Sequence, residues 1–188
     1  PTVRLSIAVQ TLGFAMLFTM ISTVQQVVDT TFDKADSFPL WFGGISLLAG
    51  SASLLNAAVV VRLGMRFIVT FTLGVQVVLS ALMIVVFSSD LPISVLFGVF
   101  LFWQTSVFFQ AGTTLGNLNA MAMEPMGHIA GTAASVIGAV ATVASLVLVI
   151  PVGLAFDGTP LPMAIGLTIE AILAFGLMLW IRRVEARG

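Results

Sequence analysis

Residues 67–87 read FIVTFTLGVQVVLSALMIVVF, a run of 21 residues without a charged side chain. About 20 mainly apolar residues in a helix, each rising about 1.5 Å, cross the hydrocarbon core of a bilayer. A helix in a soluble core would be shorter and would present a polar face. This run therefore predicts a transmembrane helix.

Five similar runs surround it, and Glu170 is the one residue of ionisable type inside any of them. They cover residues 5–28, 38–61, 93–115, 129–156 and 163–181. Charged residues make up 8% of the chain, against about 25% in soluble domains. We predict an all-α polytopic membrane protein with six transmembrane helices. The short connections favour a single bundle over residues 1–188, in which 1–115 and 116–188 are not separate domains.

Several classes of function find no support in the residues. The chain has no cysteine and one histidine, which excludes thiol chemistry, Cys-ligated metals and multi-His metal sites. No hydrolase, metalloprotease or nucleotide-binding motif is present, and no basic cluster suits nucleic acid. The sequence predicts no enzyme, no cofactor and no metal site.

The arginines predict the orientation in the membrane. They lie at the termini and in alternate connections, whereas the other side carries only Lys34. Because cytoplasmic loops are enriched in Lys and Arg, we expect both termini in the cytoplasm and a multi-pass location in the cell (inner) membrane. The chain starts at Pro1 rather than Met, so we expect a piece of a longer polypeptide, or a processed or trimmed one.

The first and fourth runs, residues 5–28 and 93–115, combine polar and aromatic residues at helical spacing. A buried polar group in hydrocarbon is costly unless it is paired or wet. Interhelical hydrogen bonds, worth about 0.6 kcal/mol each, are one explanation. We favour a cavity for small amphipathic molecules, because both runs carry the same chemistry. The predicted cavity residues are Gln10, Phe14, Phe18, Ser22, Gln25, Gln104 and Phe108.

Small residues form stripes in the second and fifth runs. Such stripes let helix backbones approach closely. They could pack within this bundle or against a second bundle that is absent from the chain, and the sequence leaves both alternatives open. The residues assigned to packing between two bundles are Gly50, Gly131, Ser135, Gly138 and Thr142.

Three further residues could ionise. Glu170 lies about 12 Å inside its run, and an intramembrane acid is a candidate functional site. It is either a protonatable site or a structural, hydrogen-bonded acid. Glu124 and His128 are four residues apart and could pair on a short helix, although a solvated pair is the simpler interpretation.

The connection between the fourth and fifth runs resembles a known family. Residues 116–135 read GNLNAMAMEPMGHIAGTAAS, similar to the link between the tenth and eleventh helices of the major facilitator superfamily. The similarity is greatest to the drug/proton antiporters of Bcr/CflA type. A weaker match is residues 62–66, RLGMR, which resembles the end of the family's D-R-x-G-R-R loop. Val61 replaces the acid of that motif, so the role of the acid does not transfer.

The resemblance implies the C-terminal half of a twelve-helix transporter, built of two inverted three-helix repeats. The first and fourth helices would line a cavity, the second and fifth would meet the N-terminal six-helix half missing from this chain, and the third and sixth would face lipid. It implies multidrug efflux of small molecules by alternating access, with protons as the coupling ion. The alternative is a six-helix protein acting as a homodimeric transporter or scaffold.

Overall fold

The structure is a computed structural model that describes residues 2–186, and this part of the chain is helical without a strand. Its six α-helices are α1 (Thr2–Thr30), α2 (Phe38–Leu63), α3 (Met65–Phe87), α4 (Ile93–Met123), α5 (Ala130–Leu154) and α6 (Leu161–Glu185). Five of them contain one of the apolar runs, and α5 covers all but three residues of the run 129–156. Each is long enough to cross a bilayer. The prediction of an all-α polytopic membrane protein is confirmed.

The connection between α4 and α5 differs from the prediction. The fourth run was expected to end at residue 115, with a loop over 116–128, but α4 continues to Met123. Gly116 and Asn117 therefore lie within the helix, which ends shortly before Pro125, a residue without the amide that continues the backbone ladder. A 3₁₀ segment, Glu124–Ile129, follows, and Met126 leaves helical geometry at φ −117° and ψ 26°. When α4, this break and α5 are counted together as Ile93–Leu154, the described chain has five helical stretches that are long and apolar enough to span a membrane.

Two tight turns join other helices. Gly64 separates α2 from α3 and adopts φ +80°, a conformation that is easy for glycine and strained for other residues. Between α5 and α6, the Asp157 carboxylate accepts hydrogen bonds from the amide and hydroxyl of Thr159 at 3.0 and 2.7 Å. These bonds stabilise the ionised form and lower the pKa of Asp157.

Helices that follow one another in the chain run in opposite directions. Arg66 at the start of α3 contacts Glu124 after α4 and Glu185 at the end of α6. At the opposite end, Phe32 after α1 packs against Phe97 near the start of α4. Thr31 after α1 donates to the carbonyl oxygen of Gly158 after α5 at 2.8 Å, so α1 and α5 end on the same side. The 3₁₀ segment therefore reverses the chain between α4 and α5. One end of the bundle, here called the arginine end, carries the first turn of α1 and the last turns of α2, α4 and α6.

The two central helices are α1 and α4. Helix α1 packs against α4, α5 and α6, while α4 packs against α1, α2 and α3, and α3 also packs against α6. This list of packed pairs is unchanged when α1 is exchanged with α4, α2 with α5, and α3 with α6. The helices thus form a row in the order α5, α1, α4 and α2, with α6 and α3 behind the central pair. The core between them is filled by large side chains such as Met16, Met20, Phe100 and Trp103.

The outer helices of the row are the least covered. Only Ile45 and Ala52 are buried in α2, and α5 buries one line of residues, Ala133, Ile137, Ala141, Ser145 and Val149. Their remaining faces are apolar, as Leu47 at 82% exposure and Val147 at 67% illustrate. In a bilayer such faces meet lipid or another helix.

Candidate functional site

One face of α1 is not covered by its neighbours, and it carries most of the residues predicted to line a cavity. Phe14 and Phe18 are half-buried there and stack with ring centroids 5.6 Å apart. Ser22 and Gln25 are exposed one and two turns further along. The face thus presents two aromatic rings followed by polar groups, which suits an amphipathic ligand.

The remaining glutamines predicted for the cavity lie deeper in the bundle. Gln10 is 3% exposed and Gln104 is 1% exposed. Among residues 2–186, Gln10 Oε1 and Gln104 Nε2 have no hydrogen-bond partner. Buried polar atoms are normally paired with protein or ordered water. These two atoms therefore remain available to a water molecule or a ligand that reaches the central helices.

Phe108 has a packing role in this arrangement. It is 8% exposed and packs edge-on against Phe42 of α2, with ring centroids 5.7 Å apart. Such aromatic pairs contribute about 0.5–1.5 kcal/mol beyond the burial of their area. The structure therefore brings Gln104 and Phe108 to the buried side of α4, separate from the open face of α1.

A polar network between α3 and α4 was not predicted. The Trp103 indole donates to Ser80 Oγ at 3.1 Å, and Gln76 Nε2 donates to the same oxygen at 3.0 Å. The Ser106 hydroxyl lies 3.4 Å from Gln76 Oε1. Gln76 and Ser80 share a helix face, which is the signal in the sequence that could have identified the network. Its partners satisfy each other, so it joins two helices rather than offering free groups.

An amide pair joins α2 to α4. Asn117 Nδ2 donates to Asn56 Oδ1 at 2.8 Å, and Asn56 Nδ2 donates to Asn117 Oδ1 at 3.3 Å. One turn earlier the backbones approach closely, because a Cβ added to Gly112 would lie 2.9 Å from Ala52 Cβ. This contact uses small residues other than those in the predicted stripes.

The stripe residues assigned to packing between two bundles lie on open faces. Gly50, Gly131 and Ser135 are exposed, and Gly138 and Thr142 are half-buried. A Cβ added to any of the three glycines would meet no atom of the described chain within 4 Å. In contrast, the small residues Ala141 and Ser145 of the same helix are fully buried. The small residues of α5 therefore divide between a packed line and an open line.

Glu170 points into the bundle, although α6 is a flanking helix. It is 5% exposed, and Thr19 of the central helix α1 faces its carboxyl group. Neither carboxyl oxygen reaches hydrogen-bonding geometry with any group of residues 2–186. Glu170 is therefore a buried acid that lies beside the central helix α1, as either interpretation of this residue allows.

The arginine end holds a small ion-pair cluster. Arg66 Nη2 lies 3.2 Å from Glu124 Oε2 and 2.8 Å from Glu185 Oε1. Glu124 therefore pairs with Arg66, and the suggested pairing with His128 is wrong. The reason is that Pro125 and Met126 interrupt the helix on which the two residues would have been neighbours.

Comparison of the chain with protein-family models, with curated proteins and with solved structures found no match. The geometry of the described residues is therefore the basis for assigning a function.

Proposed function

We propose that this chain is one six-helix half of a secondary active transporter that exports small amphipathic compounds by alternating access, coupled to protons. The packing of the helices carries this proposal. Exchanging α1–α3 for α4–α6 reproduces the same set of helix neighbours. Because each three-helix unit crosses the membrane an odd number of times, the second unit is inverted in the membrane relative to the first. Inverted repeats of this kind are typical of transporters whose substrate site lies between repeats.

The surfaces support the same proposal. The polar and aromatic face of α1 is open and lies between the outer helices α2 and α5. The open line of small residues on α5 and Gly50 on α2 would allow another bundle to approach closely on either side of that face. In this arrangement the second bundle is the N-terminal half, and the enclosed space is the substrate cavity. The termini would lie in the cytoplasm, at the arginine end.

We assign the binding and release of the coupling proton to Glu170. A secondary transporter needs a group that binds and releases the driving ion as the cavity changes sides. Glu170 is a buried acid facing Thr19 on α1, the helix that presents the cavity face. Proton exchange there would act on the helix that contacts the substrate.

Reconstitution tests the proposal against its alternative. The reading frame upstream of Pro1 should encode six further helices, and its full product should accumulate a lipophilic cationic dye in proteoliposomes when a pH gradient is imposed. This chain alone should not, since it offers half of a cavity wall. Dye flux by the chain alone that disappears in dimer-disrupting variants would favour the homodimeric transporter instead.

A further inference from the structure

A groove between α3 and α6 has the shape and lining of a lipid site. Its volume is about 510 Å³. Apart from Thr70 and a single arginine its lining is apolar or glycine, and Phe67, Phe71 and Val78 are more than half exposed. From Phe67 to Val78 the groove follows α3 for about 16 Å, which is about half the thickness of a bilayer core. It therefore matches the depth of one leaflet.

The floor of the groove depends on a glycine. The ring of Phe175 from α6 lies against Gly74, where an added Cβ would be 3.1 Å from Phe175 Cε2. This close approach holds the ring at the bottom of the groove. The exposed side chains of Phe71 and Val75 form its wall on α3.

The groove ends at a polar pocket of about 330 Å³ at the arginine end. The two cavities share Phe67 and Arg182 in their linings, so they lie side by side. The pocket also contains Gly64 and Met65 at the N-terminus of α3. The first amides of a helix lack intrahelical partners, and they favour an anion.

Arg182 is the charged group that this site leaves free. Arg66 also lines the pocket, but Glu124 and Glu185 neutralise it. Within residues 2–186, Arg182 has no acidic partner within 4.0 Å. An apolar groove that leads to an unpaired guanidinium is complementary to a molecule with a long apolar chain and an anionic head.

We propose that the groove between α3 and α6 binds an anionic phospholipid, with one acyl chain along Phe67, Phe71 and Val78 and the phosphate on Arg182. A basic pocket between transmembrane helices is a recognised arrangement for anionic headgroups. The site does not depend on the transport activity proposed above, because it is formed by the two helices farthest from the open face.

Native mass spectrometry of the purified protein with equal amounts of phosphatidylglycerol and phosphatidylcholine tests this site. We expect phosphatidylglycerol to be retained in preference. Arg182→Gln should reduce that preference about fivefold, the effect of one cation near an anionic lipid. Arg183→Gln is the matched control, because Arg183 lies outside this groove, and it should leave the preference unchanged.

A second pair of variants tests the acyl groove. Val75→Trp should fill the groove and lower retention of phosphatidylglycerol, whereas Val85→Trp on the exposed end of α3, at 67% exposure, should not. Soluble glycerol phosphate should fail to displace the lipid. Equal retention of the two lipids, equal effects of the two arginine variants, or displacement by glycerol phosphate would overturn the assignment.

Discussion

Arg66 in the first turn of α3 donates to Glu185 in the last turn of α6 at 2.9 Å, across 119 positions of the chain. The same guanidinium reaches Glu124 after α4. One side chain thereby joins three helices at the arginine end. A change in the relative position of α3, α4 and α6 must break at least one of these contacts.

Arg66→Gln should destabilise the protein by about 1 kcal/mol or less, because the pairs are partly exposed and screened by solvent. Thermal unfolding in detergent measures the change, and the difference from the parent should shrink as salt is raised. Arg62→Gln is the control, since Arg62 forms no ion pair within the described residues. An equal loss of stability in both variants would mean that overall charge, and not the cluster, is responsible.

Two glycines should respond oppositely to enlargement. Gly138→Leu should leave the stability of this chain unchanged, because the described chain places nothing within 4 Å of its added Cβ. Gly166→Leu should destabilise it by about 1–3 kcal/mol, since a Cβ there would lie 2.6 Å from Val152 Cγ2. Unfolding temperature and expression level measure both effects.

In the complete transporter, Gly138→Leu should reduce transport at normal protein level, because the larger side chain separates two bundles that move against each other. Normal export by this variant would show that the open line of α5 is not a moving interface.

Substrate preference should depend on two of the glutamines predicted for the cavity. Gln25→Ala on the open face and Gln104→Ala in the interior should each change export by up to tenfold for some compounds and little for others. A lost hydrogen bond costs about 0.5–1.5 kcal/mol. Resistance profiles normalised to membrane protein level measure this, and a uniform change across all compounds would remove either residue from the site.

Phe108→Ala separates packing from recognition. Because Phe108 packs on Phe42, its loss should lower stability as well as change the profile, whereas Gln25→Ala should leave stability intact. If the stability of the Phe108 variant is unchanged, the contact between Phe108 and Phe42 does not stabilise the bundle.

Glu170→Gln preserves the size of the side chain and removes its ionisable proton. We expect this variant to lose accumulation driven by a pH gradient while it still exchanges dye between equal concentrations. Paired measurements in proteoliposomes of the full product distinguish these activities. If the variant still accumulates dye along a pH gradient, Glu170 does not bind the coupling proton. If both activities are lost and the protein level falls, the role of Glu170 is structural.

The sequence by itself determined the class of fold. A bilayer provides no partner for backbone amides, so long apolar runs must form helices that satisfy their own hydrogen bonds. The turn at Gly64 and the break at Pro125 also follow from local chemistry, since glycine accepts positive φ and proline removes a donor. The resemblance to transporters came from sequence as well, and it remains a prediction.

Only the tertiary structure decided which way each helix faces. Helices surrounded by lipid carry apolar residues on all sides, so hydropathy does not indicate the rotation of a helix about its axis. Packing therefore determined that Glu170 faces α1, that Gln104 is buried while Gln25 is exposed, and that the small residues of α5 divide between two lines. The pairing of Arg66 with Glu124 and Glu185 likewise required three helix ends to meet, a relationship that no local spacing in the chain encodes.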